Sequence, residues 1–407
     1  MQKNHAAFTK EMRQTHTIYM PQMLYYHNAL LKAAFSFAGY HLDVVPEYKN
    51  LTNAVYQTVH PDYCTCAIGI VGNLLTMLED PSHKDEKIAF LEPQVGGACR
   101  AGNYYNLIIN CLKETGHDEI PVISLNWKGL EKHSGFKISL KLILACVAAV
   151  CCSDILMSLL LQIRPYEATA GETEALYEKW ISGLSDMISH GRLLFFRKHI
   201  YQKIVRDFSK IQINRDLIGT KKKVGIVGEI YIKFSPIGNC HLEELLQKND
   251  CEYRLGGFVN YCIFVLHSEM ISAAMNGGSF FLRRGYAVLY RILLRIQKQM
   301  NDVMQKGGFI HDGSFEELKR ESVKIISEEY VIGDGWLTTA EIIDHINNGY
   351  DRVLTVHPFG CLVSHVGSRG VLKKVKKAYP GAKVHSIEYD REQSEAMRES
   401  RILLVIN

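Results

Sequence analysis

Hydrophobic and polar positions along this chain switch between two periods. The short apolar run Ile18–Met20 precedes a stretch with helical spacing around Leu24–Phe37, which closes at Gly39, and the next run, Leu42–Val45, stops at Pro46. The same alternation continues through a helical region at Ile68–Leu78, a strand-like Lys87–Leu91, a helix through Tyr104–Lys113 ended by Gly116, and Pro121–Leu125. Strand and helix alternating over about 110 residues predict a mostly parallel, doubly wound sheet.

From Lys137 to Ile211 the pattern is helical, interrupted at Arg164-Pro165 and Gly171. Its most apolar part, Leu142–Leu161, is preceded by Lys141 and broken by Ser153 and Asp154, so it predicts a buried helix rather than a membrane span. The basic run Lys221–Lys223 then leads into Val224–Val227, whose lack of polar alternation suits a strand covered on both faces. Beyond it the spacing predicts a helix at Leu242–Leu246, a strand at Glu252–Leu255, mainly helix over 260–305, a loop at Gly307–Gly313, and helices at Phe315–Ser327 and Thr339–Ile346. Arg352–Val356, the helix Val371–Ala378, Lys383–Ile387 and the apolar Ile402–Ile406 complete the chain. The expected fold is α/β, with two doubly wound (Rossmann- or flavodoxin-like) parallel-sheet lobes joined by a helical segment. The expected boundaries are 1–136 for the first lobe, 137–215 for the bridge and 216–407 for the second lobe with its helical insertion.

Composition narrows this without naming a function. Apolar residues make up 47% and charged residues 22% of the 407, which excludes disordered, collagenous and coiled-coil classes. A net charge of +4 on so long a chain demands no nucleic acid, and neither a nucleic-acid nor a membrane partner is expected. The 11 cysteines are odd in number, and the polar Met1–Thr17 carries both charge signs, unlike a signal peptide. Reduced thiols in a cytoplasmic chain are therefore expected. Val224-Gly225-Ile226-Val227-Gly228-Glu229 does not complete G-x-G-x-x-G and no Walker A run is present, so the chain itself is expected to bind neither NAD nor ATP.

Three cysteines share a local character. Cys64 follows Pro61-Asp62-Tyr63 and precedes the glycine-spaced Ile68-Gly69-Ile70-Val71-Gly72; Cys99 follows Gly96-Gly97-Ala98; Cys361 follows Pro358-Phe359-Gly360. Each falls at a predicted strand end or helix start, the edge of an open α/β sheet where sites collect. Backbone N–H groups at a helix start favour a thiolate, and adjacent glycines admit a bulky group. Thiolates are the usual ligands of iron–sulfur clusters, and three of them leave one iron open to substrate or water. Glycine context alone leaves each of the three equally readable as a small buried hydrophobe, the reading given to Cys111, Cys146, Cys151, Cys152 and Cys262. Cys64-Thr65-Cys66 is too short for a zinc-ribbon knuckle.

Longer stretches carry a resemblance. Gly96-Gly97-Ala98-Cys99-Arg100-Ala101-Gly102-Asn103-Tyr104, then Pro121-Val122-Ile123-Ser124-Leu125-Asn126, Gly129-Leu130-Glu131-Lys132, Arg164-Pro165-Tyr166-Glu167, Val224–Tyr231, Ser235–Asn239, Gly333-Asp334-Gly335-Trp336-Leu337, Pro358–Leu362 and Tyr389-Asp390 follow in order. Together they resemble the (R)-2-hydroxyacyl-CoA dehydratase-related family, in its acyl-CoA dehydratase activase-related branch, which is also found as the C-terminal part of long fused activases. The resemblance runs from about Thr15 to the end of the chain.

The resemblance implies a cluster, most simply [4Fe-4S] with one open iron, held by Cys64, Cys99 and Cys361, with a double-cubane cluster as the larger variant. It implies an ATP-dependent iron–sulfur activase as electron donor, an acyl-CoA thioester reduced to a ketyl radical as substrate, and a homodimer or heterodimer. The alternative is a non-catalytic partner that carries a cluster or docks an activase. Departures from the family pattern are Thr65-Cys66 where Tyr-Pro is usual, Val363-Ser364-His365 where Pro-Asn-His is usual, and Cys240 in place of an asparagine. Around the thiols, Arg100, Gly97 and Gly360 are the expected neighbours, Arg100 reaching a cluster sulfur or an acyl carbonyl, or else forming a surface ion pair. Glu229 and His365 are the candidate proton carriers, with Asn239 and His357 nearby. For Glu229 and Asn239, a helix-capping or bracing role is the competing reading. The Lys373-Lys374 and Lys376-Lys377 pairs fit a solvated helix face.

Overall fold

A computed structural model describes residues 5–93, 99–125, 134–194, 197–277, 279–390 and 393–407. Two four-stranded sheets, all parallel, organise it. The first contains β1 (Thr17–Met20), β2 (His41–Val44), β3 (Ile88–Glu92) and β4 (Val122–Ser124) in the order β2-β1-β3-β4. Its helices are α1 (Met12–Thr15), α2 (Asn28–Phe37), α3 (Asn53–Thr58), α4 (Thr65–Glu79) and α5 (Tyr104–Glu114). Every residue of β3 is buried, as expected of a strand covered on both faces.

Three helices follow: α6 (Leu140–Ile163), α7 (Glu172–Ser189) and α8 (Arg197–Phe208). Apolar side chains surround the axis of α6, which fits its position between α2, α7, α8 and β6. By length and composition it could cross a membrane, as could α11 (below), but most of α6 is buried inside the protein.

The second sheet comprises β5 (Lys222–Gly228), β6 (Cys251–Leu255), β7 (Arg352–Pro358) and β8 (Lys383–Tyr389) in the order β6-β5-β7-β8. Between and after these strands run α9 (Ile230–Phe234), α10 (Leu242–Lys248), α11 (Phe258–Met275), α12 (Phe280–Lys306), α13 (Phe315–Ser322), α14 (Leu337–Asn347), α15 (Leu362–Gly367), α16 (Leu372–Ala378) and α17 (Glu395–Ile406). The expected helical stretch over 260–305 is thus a hairpin of two helices, with Ser279 capping α12 through the Leu282 N–H. The expected helix Phe315–Ser327 ends at Ser322, and Ile402–Ile406 is the end of a longer helix.

In each sheet the chain reverses its direction of strand addition once, between β1 and β3 and again between β5 and β7. The crevice beyond the carboxyl ends of strands at such a reversal is where open α/β sheets bind ligands. The two carboxyl edges face each other. Thr65 Oγ1 donates to the Tyr389 carbonyl (2.9 Å) and Ser235 Oγ to Glu47 Oε1 (2.9 Å), each bond crossing from one lobe to the other. A Cβ on Gly69 of α4 would lie 2.5 Å from the Tyr231 hydroxyl, so glycine is what lets α4 approach the second lobe. Buried Asp154 of α6 adds a third tie, accepting from the Phe258 and Val259 N–H groups (2.9 and 2.8 Å) and from His27 Nε2 (2.8 Å).

Candidate functional site

Four side chains begin helices at these facing edges. Cys64 precedes α4, and Cys99 precedes the short turn Arg100–Asn103 after β3. Glu229 caps α9 after β5 and Cys361 caps α15 after β7. Cys99, Glu229 and Cys361 therefore lie at three of the four strands that flank the two topological reversals. Their carboxyl and thiol groups are close enough to feel one another: Glu229 opposes ionisation of all three thiols, and Cys361 opposes that of Cys99.

Cys64 differs from the other two. The neighbouring Cys66 side chain and the Tyr104 hydroxyl, 2.7 Å from its Sγ, hold its thiol down at about 6 despite burial. Burial pushes Cys99 up to about 12 and Cys361 up to about 11. Cys66 itself is buried, and its thiol donates to Glu229 Oε2 at 3.0 Å. Burial also raises the Glu229 carboxyl, although Cys66 and the Ile232 N–H (2.9 Å) bond to it.

Next to Glu229 is a small, partly open cleft lined by Lys233, Phe258, Tyr261, Asp334, Thr338 and Glu341 among others. Lys233 and Glu341 form a buried ion pair, with Nζ 3.0 Å from both carboxylate oxygens. Among the described residues Asp334 forms no ion pair of its own, although Lys233 is near enough to pull its carboxyl down. Burial drives its carboxyl well above the usual range, and its charge is felt at Cys99 and Cys361. The sequence pattern did not single out Lys233, Tyr261 or Glu341, and gave Tyr104 and Asp334 only as parts of motifs. The usable signal for Asp334 was an acidic residue enclosed by Gly333 and Gly335 and followed by Trp336.

The remaining expected residues divide. Gly360 turns the chain with φ +67° just ahead of Cys361. Gly97 lies outside the described residues. The Arg100 guanidinium donates to the Asp62 carbonyl, tying the Cys99 loop to the Cys64 loop. Asn239 accepts from the Leu242 N–H at 3.0 Å and so braces the turn that leads into α10, the bracing role among its two readings. Cys240 is exposed with φ +52°.

His365 belongs to a second constellation. Its Nδ1 lies 2.7 Å from the Cys361 carbonyl and its Nε2 3.5 Å from Glu388 Oε1. With His357 these make a His-His-Glu group whose ligand atoms lie within 4.8 Å, and it is the group among the described residues compact enough for a single metal ion. Arg369 Nη1, however, is 2.7 Å from the same Glu388 oxygen and 3.4 Å from His365 Nε2, and His357 Nε2 is engaged by Ser386 Oγ at 2.6 Å. The guanidinium already supplies the positive charge that such a group attracts. The cysteines do not gather at single-ion spacing. By residue chemistry alone, three thiols at three helix starts are a donor set of the kind an iron–sulfur cluster takes.

The fold and site thus define a two-lobed parallel α/β protein with three thiols and buried carboxyls where the sheet edges meet. No protein-family model matches the chain, and no curated protein is similar to it at a level that marks relatedness.

Proposed function

We propose that this chain is an iron–sulfur oxidoreductase or dehydratase-like component that receives low-potential electrons from an ATP-dependent activase and passes them to a bound substrate, with an acyl-CoA thioester as the candidate. The observation that carries the reading is the position of Cys64, Cys99 and Cys361 at three helix starts on facing sheet edges, around a common neighbour, Glu229. Such helix starts present N–H groups that favour anionic sulfur. When bound, a cluster there supplies one-electron transfer and an iron open to a substrate oxygen. The chain's own residues do the rest: Cys66 and Tyr104 lower the Cys64 thiol toward its thiolate form, while burial raises the Glu229 and Asp334 carboxyls beside the cleft.

Anaerobic reconstitution followed by iron and sulfide analysis tests this. About four irons per chain are expected. Cys64→Ala, Cys99→Ala and Cys361→Ala should each lose most of that iron, with Cys151→Ala as the core control. A chain that takes up no iron, or that loses as much from Cys151→Ala as from the other three, overturns the reading. With a cluster in place, an activase and ATP should drive substrate-dependent electron consumption; a cluster that no acyl-CoA reoxidises leaves the chain a carrier.

A further inference from the structure

The surface beside Cys361 exposes apolar side chains. Leu362 and Val366, one helical turn apart on α15, are 58% and 44% exposed, and Phe359 just ahead of the thiol is 61% exposed. Among the described residues within five positions of Cys64 and Cys99, no large apolar side chain is exposed in this way.

The charge that follows is of one sign. Between Asp351 and Glu388 the chain holds no acidic residue and seven lysines and arginines. Arg352 and Arg369 pair with those two flanking acids (2.7 Å each), and Lys374 Nζ donates to the Ile325 carbonyl (3.0 Å). Lys373, Lys376 and Lys377 of α16 are exposed, and among the described residues no carboxylate pairs with them. The turn Arg369–Val371 packs against both α15 and α16, so the lysines follow directly on the apolar patch. The opposing charges come from the segment that Lys374 touches. There Glu321 and Glu328 are matched by Lys324 and Lys319 (2.5 and 3.9 Å), which leaves Glu329.

Three exposed apolar side chains are too few for a permanent interface, but they suit the small, brief contacts through which electron-carrying proteins meet. An apolar centre with a polar rim is the usual plan of such a surface, and a rim of one sign steers in a partner of the other. Electron passage falls off steeply with distance, so a donor must come close to one of the thiols. Cys361 is the one with this surface around it. An anionic lipid would also accept the lysines, but nothing about a lipid requires a place beside a thiol.

We propose that the α15–α16 face docks the electron-donating protein, and that the donor meets it with an acidic surface. The inference rests on the proposed electron-accepting role, but docking is measured apart from iron. Isothermal titration calorimetry of the full chain with a plant-type ferredoxin, an acidic electron carrier, should show binding at about 20 mM salt that weakens at least about tenfold by about 200 mM. Lys373→Glu/Lys376→Glu/Lys377→Glu should weaken the low-salt binding at least about tenfold. Lys84→Glu/Lys179→Glu/Lys198→Glu, the same change in net charge at exposed positions elsewhere, should weaken it less than about threefold. Absence of binding at low salt, or equal losses from the two triple variants, overturns the proposal. So does binding of phosphatidylcholine–phosphatidylserine vesicles in place of ferredoxin, which assigns the face to a membrane. A chain that binds ferredoxin through these lysines yet takes up no iron keeps the docking face and overturns the electron-accepting role instead.

Discussion

The Cys66 thiol on α4 lies 3.0 Å from Glu229 Oε2, at the cap of α9 in the other lobe. One buried hydrogen bond therefore joins the start of a helix in each lobe. The same carboxyl oxygen accepts the Ile232 N–H, so Glu229 both caps its own helix and closes the inter-lobe edge. Glu229→Ala should destabilise the protein by about 1–2 kcal/mol in urea unfolding, the cost of losing a cap. Glu229→Gln keeps an accepting oxygen and should cost much less. If the contact holds the lobes together, a double-mutant cycle of Glu229→Ala with Cys66→Ala should return a coupling of about 1 kcal/mol; additive effects would show that the two groups act independently.

Cys64 should be the reactive thiol of the metal-free protein. Its thiol is held down to about 6 by Cys66 and Tyr104, whereas Cys99 and Cys361 are pushed up to about 12 and 11. Iodoacetamide near neutral pH should alkylate Cys64 well ahead of the other two, because the thiolate is the nucleophile. The rate should rise with an apparent pKa close to 6. Tyr104→Phe removes the hydroxyl bond to Sγ and should move that midpoint upward, read by mass spectrometry of the labelled peptide. An unchanged midpoint would show that Tyr104 does not stabilise the thiolate.

Asp334 should make stability depend on pH. Burial raises its carboxyl above the usual range. A group whose folded value exceeds its unfolded value contributes most while protonated, and the contribution falls as pH rises through the folded value. Stability should therefore decline as pH climbs above the ordinary carboxylate range. Asp334→Asn, neutral at every pH, should flatten that decline in urea titrations run across neutral pH.

Period and punctuation carried the fold a long way. β1 and β3 lie within about a residue of the runs Ile18–Met20 and Lys87–Leu91, because short apolar segments between glycines and prolines have few other ways to be buried. All three glycine-flanked thiols fall at helix starts for the same reason: a turn after a strand needs permissive residues, and sequence shows them. The hairpin was harder to read, since helical spacing runs on from the apolar α11 into the amphipathic α12 and only Asn276-Gly277-Gly278-Ser279 separates them. The contacts of Cys64 with Tyr104 and of Cys66 with Glu229 were not legible at all. They join residues 40 and 163 positions apart and depend on how two elements pack, a relation that no local pattern encodes. His365 shows the converse. It was selected for its neighbour Cys361, but Arg369 and Glu388, brought to it by the fold, decide its surroundings.

The Lys233–Glu341 pair gives the sharpest stability test. Both groups are buried, Nζ bonds to both carboxylate oxygens, and the pair forms part of the cleft wall beside Asp334. Taking two charges out of water is costly, and their mutual attraction repays it only while both are present. Glu341→Ala leaves an ammonium buried without its carboxylate and should cost about 3–5 kcal/mol. Lys233→Met should be comparably harmful, because it strands a carboxylate that burial already raises. The double variant Lys233→Met/Glu341→Leu removes both charges with similar volume and should recover most of the loss. Urea midpoints of the four proteins decide it: a double variant as unstable as the sum of the singles would mean that the pair's packing, rather than its charge balance, supports this wall of the cleft.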